Sequence, residues 1–122
     1  MITINILNVY DDNFHLRKFS IHILGHASAD IKEVNKDCIK VSTFACMLEQ
    51  ISKVYDNTCY LSQGKGECSF SITLETDIEK ILKRSLKAMI YKLASEQVAI
   101  YEEDLKIWKN MQNQQILKKQ KF

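Results

Sequence analysis

Lys18-Phe19-Ser20-Ile21-His22-Ile23-Leu24-Gly25 sends Phe19, Ile21 and Ile23 to one side and Lys18, Ser20 and His22 to the other. A two-residue period of this kind marks a half-buried strand, because successive side chains of a pleated strand point to opposite faces. Upstream, Ile2, Ile4 and Ile6 alternate in the same way with Thr3 and Asn5. Between the two runs, Asp11-Asp12-Asn13 is turn chemistry: Asp and Asn bond their own backbone and tolerate left-handed conformations. The two runs therefore predict a hairpin that ends at Gly25.

Downstream, residues 27–36 follow no clean period and read as a surface loop, longer than most connections in compact domains. Asp37 then stands at an N-cap position ahead of Val41, Phe44, Ala45, Leu48, Ile51 and Tyr55, spaced as on one side of a helix that Asp56-Asn57 closes. Residues 58–63 and 67–74 flank Gly64-Lys65-Gly66 and predict a second hairpin, with Cys68, Phe70, Ile72 and Leu74 turned inward. Thr76-x-x-Glu79 is a capping-box signature, and Ile78, Ile81, Leu82, Leu86, Met89 and Leu93 supply the apolar stripe of a second helix. Val98-Ala99-Ile100-Tyr101 suits a short edge strand, and the remainder is a tail rich in lysine and glutamine, helical or loose. The order β-β-α-β-β-α-(β) predicts an α+β fold with two helices packed on a mostly antiparallel sheet.

Bulk properties narrow the function classes. A chain of 122 residues with 46% hydrophobic and 26% charged side chains is of ordinary globular composition and forms one core. No run is long enough for a membrane span, and Met1-Ile2-Thr3-Ile4 opens as a strand rather than a signal peptide, so a cytoplasmic location is expected. Cys38, Cys46, Cys59 and Cys68 are then expected as reduced thiols, the last three in the interior of their elements. No C-x-x-C pair or zinc-spaced histidine argues for a metal, and no glycine-rich phosphate loop argues for a cofactor. Residues 106–122 carry five lysines and no acid; taking that +5 from the net +2 leaves the body at −3. Such a tail offers at most a weak electrostatic contact with rRNA, unlike a domain with a broad basic face.

The chemistry-bearing residues are Gly25-His26-Ala27, just past the second strand, and Cys38 at the first turn of the first helix. A thiol there meets unsatisfied backbone N–H groups and the positive end of the helix dipole, both of which favour the thiolate. A histidine within reach would complete the minimum equipment for nucleophilic attack on a carbonyl. His15 and His22 read instead as solvated or hydrogen-bonded surface residues.

Gly25-His26-Ala27 followed by Cys38-Ile39-Lys40-Val41-Ser42 resembles the ribosomal-processing cysteine protease family, Prp, over residues 1 to about 103. The resemblance implies a domain over 1–103 and a basic C-terminal extension over 104–122. It implies a cysteine endopeptidase that removes the N-terminal extension of a large-subunit ribosomal protein, working as a homodimer without cofactor. By the same resemblance His26 is the base and Cys38 the nucleophile, with Gly25, Asn35 and Ser42 in support. The chain departs from the family pattern at Asn35, where the family carries an aspartate, and at Lys36-Asp37, where it carries an apolar pair. Another register sets Asp37 on that aspartate and Lys40 at the nucleophile position. The chain would then be a catalytically inactive module that binds a ribosomal protein or an assembly intermediate.

Overall fold

A computed structural model describes residues 1–25, 36–108 and 115–121, with backbone only for 107, 108 and 115–121. Eight elements follow one another: β1 (Ile2–Tyr10), β2 (Leu16–Gly25), α1 (Lys36–Val54), β3 (Cys59–Gly64), β4 (Glu67–Thr73), α2 (Asp77–Lys92), β5 (Val98–Trp108) and β6 (Gln115–Lys121). The strands form one sheet in the order β3-β4-β2-β1-β5-β6. All neighbours are antiparallel except β1 and β5, which run parallel with Ile2 opposite Val98 and Ile4 opposite Ile100. The α+β order expected from periodicity is the order observed.

Strand alternation builds the core. Ile4 pairs with Ile23 and Ile6 with Ile21, while Ile21 also pairs with Phe70 and Phe19 with Ile72. All seven are at most 5% exposed and join Val41, Phe44 and Leu48 of α1 and Leu86 and Ile90 of α2 in one apolar cluster. Both helices therefore lie on the same face of the sheet.

Several elements differ from expectation for identifiable reasons. Cys46 is exposed, not internal. On α1 the buried positions are Val41, Phe44 and Leu48, and a residue five places after Val41 sits about 140° around the helix from it. On α2 the buried face runs through Glu79, Leu86 and Ile90, with Leu82 and Leu93 packed beside it, while Ile78, Ile81 and Met89 point outward. Glu79 is buried although its charge argues against burial. Its carboxylate accepts the Thr76 N–H at 3.2 Å and the Thr76 hydroxyl, completing the capping box and satisfying the charge where it lies.

The last strand is longer and more central than Val98-Ala99-Ile100-Tyr101 alone suggests. β5 runs unbroken across the expected junction at residues 103 and 104, and the basic tail contributes β6, paired from Glu102↔Lys121 to Trp108↔Gln115. Charge hides this strand in the sequence, because Glu102 and Asp104 read as surface. In the fold Asn8 Nδ2 donates to Glu102 at 2.7 Å and to Asp104 at 3.0 Å. Lys87 Nζ and the Tyr91 hydroxyl donate to Glu102 at 2.6 and 2.5 Å. Burial alone would raise the Glu102 pKa; these donors outweigh it and hold the carboxyl below its usual range.

Candidate functional site

Gly25 ends β2 in a conformation that selects glycine. Its φ is +94°, and a Cβ there would stand 2.5 Å from the Met1 carbonyl oxygen. The bare Cα lets the first and second strands close at this edge, where Ile2 pairs with Gly25. The Gly25 N–H donates to the Gly66 carbonyl at 2.9 Å, which ties the end of β2 to the β3–β4 turn.

These elements wall a cleft of about 290 Å³, lined among others by Gly25, Cys38, Ser42, Gly64, Gly66 and Glu67. Cys38 is half-buried in the first turn of α1 and packs against the apolar core. Ser42 lies one helical turn later on the same flank, and Val41 between them faces inward. The helix begins at Lys36, so Asp37 occupies its first turn rather than capping it. Cys38 thus lies in the first turn of α1, at the positive end of the helix dipole.

Three of the residues singled out in the sequence, Gly25, Cys38 and Ser42, therefore meet at one cleft. His26 and Asn35 lie outside the described residues, as does most of the 27–36 loop. Of the other thiols, Cys59 and Cys68 are buried, and desolvation pushes both pKa values up, which keeps them protonated and inert. Cys46 is exposed on another side of α1.

Sequence reasoning passed over the opposite wall. Glu67 lines the cleft, and its Oε1 lies 2.8 Å from His22 Nε2. The two β3–β4 glycines are the signal that could have pointed there, since Gly66, at φ +71°, turns the hairpin so that its carbonyl meets Gly25. Among the described residues no group of three or more His, Cys, Asp or Glu side chains could hold a metal ion. Among them, too, no helix is long and apolar enough to cross a membrane.

A two-layer α+β domain with a half-buried thiol at a helix start, facing a pair of glycine turns, is the class that fold and cleft define. No protein-family model matches the sequence, and no curated protein matches it. Solved structures do match. One is the essential ribosomal processing protease Prp from S. aureus, in complex with a covalently linked product peptide. The TM-score is 0.59 at 12% identity, over 84% of this chain and 99% of that one. Another is SMU.848 from Streptococcus mutans, with a TM-score of 0.51 at 20% identity over 84% of this chain and 98% of that one. At such identities the likeness is one of fold, and the fold expected from the resemblance to Prp is the fold observed.

Proposed function

We propose that this chain is a cysteine endopeptidase that removes the N-terminal extension of a large-subunit ribosomal protein, with Cys38 as nucleophile and His26 as base. The observation that carries the reading is the convergence of Gly25, Cys38 and Ser42 on one cleft, with His26 covalently joined to Gly25. The fold shared with a ribosomal processing protease that holds a product peptide through a covalent link supports it.

In this mechanism the Cys38 thiolate attacks the scissile carbonyl. Backbone N–H groups in the first turn of α1 receive the oxyanion, which needs fixed dipoles aimed at the developing charge. His26 takes the thiol proton and returns it to the leaving amine, and water then releases the acyl group from sulfur. Asn35 or Ser42 orients the imidazole, Asn35 as a neutral replacement for a carboxylate. The reading includes a cytoplasmic homodimer, in which the basic tail adds a salt-sensitive contact with rRNA.

Incubating the protein with a ribosomal protein that carries its N-terminal extension, and weighing the products, tests the function. One cut that releases the extension, abolished in Cys38→Ala and reduced about 10²–10⁴-fold in His26→Ala, is the expected result. Binding of the extended protein without a cut establishes the inactive module instead.

A further inference from the structure

A second cavity lies at the opposite end of the strands from Cys38. It measures about 490 Å³, and its cationic lining comprises Arg17 from β2 and Lys80, Lys83 and Arg84 from α2. β1 separates the two sites: Ile2 lines the Cys38 cleft and Tyr10 lines this cavity, roughly 26 Å apart along the strand. Lys80, Lys83 and Arg84 stand at i, i+3 and i+4, so they share one helix face. The only carboxylate in the lining is Glu75. Among the described residues no carboxylate lies within ion-pair distance of Lys80, Lys83 or Arg84, while Arg17 Nε is 3.9 Å from Asp11. Burial, and then the neighbouring Lys87 charge, press the Lys83 pKa down.

An independent feature sits at the mouth of this cavity. Phe14, in the β1–β2 turn, is 65% exposed and has φ +62°, a left-handed conformation that costs a bulky residue free energy. The turn enforces it. Asp11 is buried, and its Oδ1 accepts the backbone N–H of Asn13 at 2.9 Å and of His15 at 3.0 Å. The Phe14 N–H in turn donates to the Asp11 carbonyl at 3.0 Å. An asparagine or glycine would fit that backbone without strain. The fold instead holds an exposed aromatic ring there, with Lys106 Nζ 3.8 Å from its centroid.

Clustered cations beside an exposed ring on a backbone held by hydrogen bonds suit single-stranded nucleic acid: phosphates take the charges, and every base has a face that can stack. We propose that this cavity binds a single-stranded nucleic acid segment, its phosphates on Arg17, Lys80, Lys83 and Arg84 and a base stacked on Phe14. The site is separate from the Cys38 cleft and stands whether or not Cys38 is a nucleophile; one lysine of the tail, Lys106, reaches it over the Phe14 ring.

Fluorescence anisotropy of labelled oligouridylate on the full chain tests it, with the deoxy counterpart run alongside to assign the sugar. Affinity should fall steeply between roughly 50 and 200 mM salt. Lys80→Glu with Arg84→Glu, both exposed positions, should weaken binding about tenfold or more and lower the salt slope by roughly 1.4. Phe14→Asn should weaken binding about tenfold while leaving the melting temperature unchanged or higher, because it removes a stacking face and relieves strain. Three outcomes overturn the proposal. One is no binding by the unaltered chain. Another is binding that survives the Lys80/Arg84 reversal but is lost in Lys118→Glu with Lys119→Glu. The third is binding indifferent to Phe14→Asn and equalled by heparin, which describes a bare polyanion patch.

Discussion

Replacing Gly25 by alanine separates the requirement for glycine at the cleft from mere tolerance of it. The new Cβ would take up a left-handed conformation at φ +94°, which costs about 1–2 kcal/mol. It would also stand 2.5 Å from the Met1 carbonyl oxygen, so the first strand must shift. That shift strains the Ile2–Gly25 pairing and the 2.9 Å bond from Gly25 N–H to Gly66, worth about 0.5–1.5 kcal/mol. Against this, alanine restricts the unfolded chain and returns about 0.4–1 kcal/mol. Because the clash is with backbone, the net loss falls in the upper part of the resulting range, about 2–3 kcal/mol. For a domain of 122 residues that lowers Tm by roughly 8–12 °C. Gly64→Ala is the internal control, since a Cβ there meets nothing within 4 Å. Urea unfolding of the two variants side by side is the assay. If Gly25→Ala lies within about 0.5 kcal/mol of Gly64→Ala, the steric argument for the glycine is wrong.

Limited iodoacetamide labelling should modify Cys38 and the exposed Cys46 before the buried Cys59 and Cys68, with Cys38 the faster if it is the nucleophile; early labelling of Cys59 would contradict the burial. Stability should fall on acidification as Glu79 and Glu102 are protonated. The Thr76 hydroxyl lowers the pKa of the first, and the donors to Glu102 that outweigh its burial lower that of the second. Their contribution is therefore present above the ordinary carboxylate pKa and lost as pH drops through the lower folded values. At the alkaline end the Tyr91 hydroxyl, held by Glu102, is pushed up to about 12, so its contribution is complete below the ordinary phenol pKa of about 10 and disappears as pH rises through the folded value. Tyr91→Phe should remove that alkaline component from the pH–melting profile. Truncation after Trp108 removes β6 but leaves the β1–β5 pairing whole. Truncation after Glu103 also removes Asp104, Leu105 and Lys106 from their places beside Asn8, Val9 and Tyr10, and should melt at a clearly lower temperature. Equal melting of the two would show that β5 ends functionally at residue 103.

Where one physical signal dominates, the sequence was legible. Ile2, Ile4 and Ile6, and Phe19, Ile21 and Ile23, alternate without interruption, and the structure buries all six on one face. Thr76 and Glu79 announced the start of α2 through their spacing alone. The reading failed where charges were compensated by partners distant in the chain. Glu102 disguised a strand because Asn8, 94 residues away, and Lys87, 15 residues away, satisfy it. Glu79 disguised the buried face of α2 for a local reason: Thr76, three residues before it, satisfies its carboxylate. At the cleft, Gly25 and Cys38 were visible because glycine and cysteine carry specific chemistry, and Ser42 only through the resemblance to Prp. Glu67 and His22 were not, since only the register of β2 against β4 brings them together.

Acid-quenching the protein during turnover of an extended ribosomal protein, followed by peptide mapping, tests the central claim most directly. An acyl adduct of the cleaved extension is expected on the peptide that contains Cys38, and none on Cys46, Cys59 or Cys68. Cleavage that proceeds in Cys38→Ala, or an adduct carried by another thiol, would contradict it.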